Sequence, residues 1–473
     1  MSLRPALSRI PTELALAALA AAGAAVLATL FAVSAYAVHP LALPAAVIAG
    51  AFVIAAFLRP VVGLVGAALA TPLEAVNLPL ASGALSPAEA ALVAVAIAWL
   101  ARVLLRPDTV AKPALRDLPV AVLLLAVTAG LLFAAEPAPV LRVAVLWTLF
   151  GLVYLQAQSL TVGEMRAVIS ALVAGAGLLG AIGAFSFVQS GGTELLGGGS
   201  TVSGTRAAGT FADPNYYAAL LALTLLPGVA LLLAETKRHL WLLAPLAAGI
   251  GGLLFSLSRG GVLGFGAGLL LLLAWRRARY VAIAILALVV SLTLANANPL
   301  VQSEYFGSVE ERIATVRHPT RESTRPQIWS TALEVTQEHP FFGVGVNQFQ
   351  LESARRSLFE RGQTLENAHS VPLSLAAETG IIGLAAFTVF LVQLAARGLS
   401  VARARRPLER GLGLGISAAL LAFVIQGLTI TQIRVPIVTG TFFLLAGILT
   451  SLSDRQAGSA ESSQPSVGPA SER

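Results

Sequence analysis

Residues 366–383 read ENAHSVPLSLAAETGIIG, a polar opening around His369 that gives way to an apolar run centred near residue 383. A helix needs about 20 mainly apolar residues to cross a bilayer, and this run is long enough. The chain repeats the pattern many times. Of its 473 residues 56% are hydrophobic and only 12% charged, with a mean hydropathy of +0.81, against the roughly 25% charged content of a soluble domain. This composition predicts an all-α, polytopic integral membrane protein.

Apolar runs are centred near residues 24, 49, 69, 96, 126, 148, 177, 224, 248, 267, 288, 383, 420 and 444, giving about 12–14 spans. The run from Pro60 to Val76 carries Gly63, Gly66, Pro72 and Glu74, which points to a broken or re-entrant segment. Arg4, Arg9 and the small-residue pattern AYA at 35–37 resemble a signal peptide. The apolar run from Leu14 to Val33 is long for one, so it is read as an uncleaved first span.

Net charge +7 and a pI near 10.3 do not indicate nucleic acid, which would require the cations on one face or stripe. They fall in short clusters between the apolar runs. With the N-terminus inside, about twenty of the 31 basic residues lie in inner segments, among them Arg59, Arg102, Arg106, Arg116, Arg166, Lys237, Arg238, Arg397, Arg403, Arg405, Arg406 and Arg455. That is the distribution expected of cytoplasmic loops, and it puts both termini inside. The expected organisation is about eleven spans over 1–297, an outer cap loop over 298–368 and about three spans over 369–452. A disordered inner tail over 453–473 follows.

The basic residues left on the outer side are all arginine: Arg142, Arg206, Arg259, Arg312, Arg317, Arg321, Arg325, Arg355, Arg356, Arg361 and Arg434. A guanidinium presents fixed donors suited to phosphate oxygens, where an ammonium is a point charge. Arg206, in GTRAAGTFADPNYY, and Arg259, in SLSRGGVLG, sit tightly against apolar runs. At membrane depth an arginine faces a protein cavity or the interface, and the surrounding glycines allow close backbone approach. Arg355, Arg356 and Arg361 read more simply as solvating a polar loop.

The outer loop is too long for a connector. Within it RPQIWSTALEVTQEHP predicts an amphipathic helix, with Pro326 in the first turn, a stripe of Ile328, Trp329, Ala332 and Val335, and Pro340 beyond the end. FFGVGVNQF turns on Gly343 and Gly345, and a short helix is expected from Gln348 to Leu358. The segment then reads as a cap ending at His369. An imidazole titrates near neutrality, which makes His369 the natural outer general base, although hydrogen bonding or helix capping would also account for it. His39, His239, His318 and His339 adjoin span ends or prolines.

There are no cysteines and only four aspartates, Asp108, Asp117, Asp213 and Asp454. None forms an Asp-x-Asp pair or a cluster with metal-ligand spacing, so no metal or cofactor is expected. Asp213 and Asn215 flank Pro214 and are read as helix-capping residues.

Taken in order, RAAGTFADPN, SRGG, RPQIW with HPFFGVG, and HS followed by nine residues and a glycine (His369, Ser370, Gly380, with Gly383 beyond) resemble the O-antigen ligase and polymerase superfamily of bacterial envelope enzymes. The resemblance covers about residues 200–385 and implies a GT-C-like glycosyltransferase architecture with a helical periplasmic loop. It also implies an inner-membrane enzyme that moves a glycan from an undecaprenyl diphosphate carrier. The acceptor would be a lipid A core sugar in a ligase, or a second lipid-linked repeat in a polymerase. On this reading His369, Arg206 and Arg259 are catalytic and inversion is by direct displacement. Arg325, Arg321, Arg142, Arg434 and His339 would bind substrate.

A transporter of a small anion or lipid-linked sugar is the rival reading. Carriers usually keep ionisable residues inside the membrane, and only Glu74 and Glu378 qualify. A structural scaffold would not explain arginines gathered beside His369.

Overall fold

The computed structural model describes residues 42–74, 78–80, 83–110, 112–190, 206–275, 279–280, 283, 285, 325–356 and 367–461. The expected first span near residue 24, most of the one near 288, Arg321 and the end of the tail lie outside the described residues. Apart from a two-stranded antiparallel hairpin, Leu78–Leu80 with Gly83–Leu85, the described chain is helical.

The helices are α1 (Ala42–Leu58), α2 (Pro60–Leu69), α3 (Pro87–Leu105), α4 (Leu118–Ala129), α5 (Pro137–Gln158), α6 (Val162–Ser190) and α7 (Pro214–Ala234). There follow α8 (Leu243–Phe255), α9 (Arg259–Leu272), α10 (Arg325–Glu338), α11 (Phe349–Arg355), α12 (Val371–Val401), α13 (Pro407–Gly427) and α14 (Pro436–Glu461). Among the described residues nine helical segments are long and apolar enough to cross a membrane, and three more apolar helices, around α1, α2 and α9, are shorter. The protein is therefore a multi-pass, all-α membrane protein.

The Pro60 run behaves as its glycines suggest. Pro60 starts α2 sharply after Arg59, and the ten-residue helix rises only about 15 Å, half the hydrocarbon thickness. A 3₁₀ turn, Thr71–Leu73, and the hairpin then lead into α3. Glu74 accepts from the Ser86 hydroxyl at 2.9 Å.

Helices α7 and α14 form the centre, with 89% of their apolar windows buried. They are apolar on all sides, as a helix enclosed by other helices must be. Phe390 of α12, Phe423 of α13 and Phe442 and Phe443 of α14 stack into one core with Phe150 and Tyr154 of α5. Between α9 and α13 the packing needs small residues. A Cβ at Gly264 would come within 2.6 Å of the Ala422 carbonyl, and one at Gly268 within 2.8 Å of that of Ala418.

Polar contacts gather at the two ends of the bundle. At one end Arg116 meets Asp454 at 3.2 Å and Arg166 meets Glu235 at 3.3 Å. Asp117 there accepts from Tyr154 at 2.8 Å and from Gln158 at 3.1 Å. Arg59, Arg397, Arg403, Arg405 and Arg406 lie at the same end. The opposite end carries Arg206, Arg259, Arg434, His369 and the helices α10 and α11.

Candidate active site

Arg206 opens the described segment before α7 and is only 5% exposed. Its Nε donates to the Ser256 carbonyl at 2.8 Å and its Nη2 to Asn215 Oδ1 at 2.9 Å. The next residue, Ala207, donates its N–H to Phe255 O at 2.9 Å, pinning the loop against the end of α8. Asp213 caps α7, accepting the Asn215 N–H at 2.6 Å, with Pro214 in the first turn. Burying a guanidinium is tolerable only when its donors are satisfied, and here a carbonyl and an amide supply two of the acceptors.

The α8–α9 turn passes through Leu257, whose φ is 49°. Ser258 then caps α9, accepting the Gly261 N–H at 3.2 Å while donating to Asn215 Oδ1 at 2.9 Å. Arg259 is the first residue of α9 and is exposed. A cation is electrostatically disfavoured at a helix N-terminus, where an anion is favoured. Placing one there makes sense when an anion arrives.

The start of α9 touches the end of α13: a Cβ on Gly260 would lie 3.0 Å from Thr429 Oγ1. Gln426 of α13 donates to the Asn215 carbonyl at 2.8 Å, and Gly427 lies beside Val371. The arginine-bearing loop, α9, α13 and the entry to α12 thus form one contiguous polar patch. In the last of these, Thr431 Oγ1 accepts the Ser370 N–H at 3.0 Å and pairs with the Ser374 hydroxyl at 3.1 Å. His369, just before, is half-buried with φ at 47°, its N–H held by Asn367 Oδ1 at 2.9 Å. Such a backbone is uncommon for a residue with a side chain, and strain of this kind collects at functional sites.

Helix α10 follows the amphipathic pattern of its sequence. Helix α10 buries Ile328, Thr331, Ala332 and Val335, which pack with Val344, Phe349, Ala368 and Ala377. Ala368 adjoins His369, so the cap covers this end of the bundle. Arg325, at the start of α10, is exposed, and its guanidinium is held below the usual arginine range by partial desolvation and then by the positive charge of Arg259. The two cations are therefore near enough to repel each other.

Helix α12 is broken at Gly380, with φ 66° and ψ −170°. A break strands backbone groups, and at membrane depth these must find partners within the protein. The loop after α10 supplies them: Ile381 N–H donates to Pro340 O at 2.8 Å, while Val344 and Gly345 donate to Ala377 and Glu378 carbonyls at 3.0 Å each. Gly343 fits because its φ is 64° and a Cβ would lie 2.6 Å from the Ala377 carbonyl. HPFFGVG and the glycine after HS are thus two halves of one joint.

Glu378, 5% exposed, pairs with Arg434, which also donates to Asn347 Oδ1 at 3.1 Å. Gln348 exchanges two 3.0 Å bonds with the backbone of Glu136, tying the cap to α5.

Of the residues singled out from sequence, Arg206, Arg259, Arg325 and His369 gather around this patch. Arg142 is exposed near the start of α5. His339 is exposed at the far end of α10, about 20 Å from Arg325 by helix rise. Arg434 is engaged by Glu378. Sequence reasoning missed Gln426 and Thr431, and read Asn215 only as a helix-capping residue; a polar pair inside LTITQIRV was the available signal for Thr431.

Fold and patch together define a polytopic membrane protein with one capped, arginine-rich end. Residues 244–388, from α8 through the cap to the middle of α12, match the family model described as O-antigen ligase. The match spans under a third of the chain and makes that part similar to O-antigen ligases, the family its motifs resemble. It has no match among curated proteins.

Proposed function

We propose that the protein transfers a glycan from an undecaprenyl diphosphate carrier to a hydroxyl of a lipid A core sugar. The reaction takes place at the periplasmic face of the inner membrane, with both termini cytoplasmic. The observation that carries this is the approach of three arginines, Arg206, Arg259 and Arg325, from separate segments to the end of the bundle where His369 stands.

The chemistry follows from charge. His369 takes the proton of the acceptor hydroxyl as its oxygen attacks the anomeric carbon, and the bond from that carbon to the diphosphate breaks with inversion. The departing diphosphate keeps the electron pair, and its growing charge is met by Arg206 and Arg259, with Arg325 above. One preorganised donor of this kind typically contributes about 2.7–4 kcal/mol. Arg321, four residues before Arg325 in sequence, is assigned to the same anion. Arg142, near the start of α5, and His339, beyond the end of α10, would meet only distant sugars, and Arg434 serves by holding the cap.

His369→Ala, Arg206→Ala and Arg259→Ala should each abolish transfer with protein levels intact. Near-normal complementation by all three would sink the site. A lipopolysaccharide gel from a deletion strain tests the acceptor. Loss of all O-antigen from the core supports the ligase, core bearing a single repeat means a polymerase, and an unchanged ladder overturns both.

A further inference from the structure

Asn215 is the hub of the arginine patch, and its chemistry is specific. A guanidinium can only donate, so the amide oxygen must be the atom facing Arg206. The same oxygen accepts from Ser258, the residue that caps α9 immediately before Arg259. The Asn215 carbonyl meanwhile accepts from Gln426. One side chain therefore orients the buried Arg206 and the start of the Arg259 helix together. With Oδ1 committed to these two donors, the Nδ2 group is turned away from them and meets no acceptor among the described residues.

An aspartate would make both accepting bonds equally well, and more strongly, since charge-assisted hydrogen bonds are the stronger kind. Stability alone would favour it. Its cost would be electrostatic: a carboxylate against Arg206 would cancel the charge a diphosphate needs and replace two N–H donors with a repelling anion. The nearby carboxylate, Asp213, is occupied at the α7 N-terminus.

We infer that Asn215 is a positioning residue for the donor diphosphate, an uncharged bracket that aims Arg206 and Arg259 together while its NH₂ group faces the same anion. This rests on the proposed site. It adds that the bracket must be neutral.

The test is Asn215→Asp in the full-length purified protein, with a synthetic polyprenyl-diphosphate glycan as donor. Thermal stability should equal or exceed that of the wild type. The KM for the donor should rise on the order of 10- to 100-fold, the effect of losing a hydrogen bond to a charged group, with a smaller change in kcat. Equilibrium binding of the donor should weaken in parallel. Ser258→Ala, which removes one of the two donors to Oδ1, should raise KM less. Wild-type KM and binding in Asn215→Asp would overturn the inference, as would a loss of activity explained wholly by unfolding. Arg206→Ala separates the two levels. If it abolishes transfer while Asn215→Asp is inert, only the bracket fails; if it is itself inert, the site fails.

Discussion

Replacing Gly380 with alanine tests the joint on which the capped end depends. Its φ and ψ of 66° and −170° lie in a region essentially reserved for glycine, so any side chain costs about 1–3 kcal/mol there. The new Cβ would overlap the Phe341 carbonyl and the Phe342 amide, and neither backbone group can swing aside as a side chain would. Relief requires the loop to withdraw, stretching the bonds Ile381 to Pro340, Val344 to Ala377 and Gly345 to Glu378. At about 0.5–1.5 kcal/mol each, the local loss is on the order of 3–7 kcal/mol. Hydrogen exchange should report it as lost protection at the Val344 and Gly345 amides, together with reduced glycan transfer. Gly251→Ala is the matched control, because nothing lies within 4 Å of its Cβ position. A helical glycine there gains about 0.5–1 kcal/mol on substitution. Wild-type protection and full transfer in Gly380→Ala would refute the joint.

Two further outcomes are expected at the cap. Glu378→Gln or Arg434→Ala leaves one charge of a largely buried pair without its partner, a loss of about 3–5 kcal/mol, whereas removing both charges together should cost less than either alone in a melting experiment. Additive losses would show that the pair is not coupled. Arg356 grips Glu338 through bonds of 2.6 and 3.2 Å, which holds the Glu338 carboxyl below the usual range. A depressed pKa gives stability that is present at neutral pH and lost as pH falls through the folded value. Limited proteolysis of the cap should therefore accelerate below the ordinary glutamate range, about pH 4.3, and Arg356→Ala should flatten that acid dependence. A variant with the wild-type pH profile would count against the grip.

Much of the fold is legible in the sequence, for identifiable physical reasons. Spans declare themselves because a bilayer demands long apolar runs, and the irregularity at Pro60 was written in Gly63, Gly66 and Pro72. The arginines stood out because a cation at an apolar boundary is expensive and must have a use. Asn215, Gln426 and Thr431 were harder to read. Each is neutral and common, and its role exists only through a partner far along the chain: Gln426 reaches Asn215, and Thr431 reaches Ser370 and Ser374. Glu378 is a different case: it is one of only two acids in apolar runs that a transporter could have used, and the partner that accounts for it is Arg434.

The nine residues separating Ser370 from Gly380 acquire a mechanical meaning. They form a helical rod of about 13–14 Å, too short to bend and fixed at both ends. Thr431 holds the His369 end through Ser370 and Ser374, while the loop at Val344 and Gly345 holds the other through the carbonyls of Ala377 and Glu378. A rod so fixed makes the position of the cap and the position of His369 a single variable. His369 sits at φ 47°, a conformation that surrounding structure must enforce, and the anchored rod is that structure. The histidine needs no deep burial of its own to be held in place, and it stands half-buried at the end of the bundle where the arginines gather.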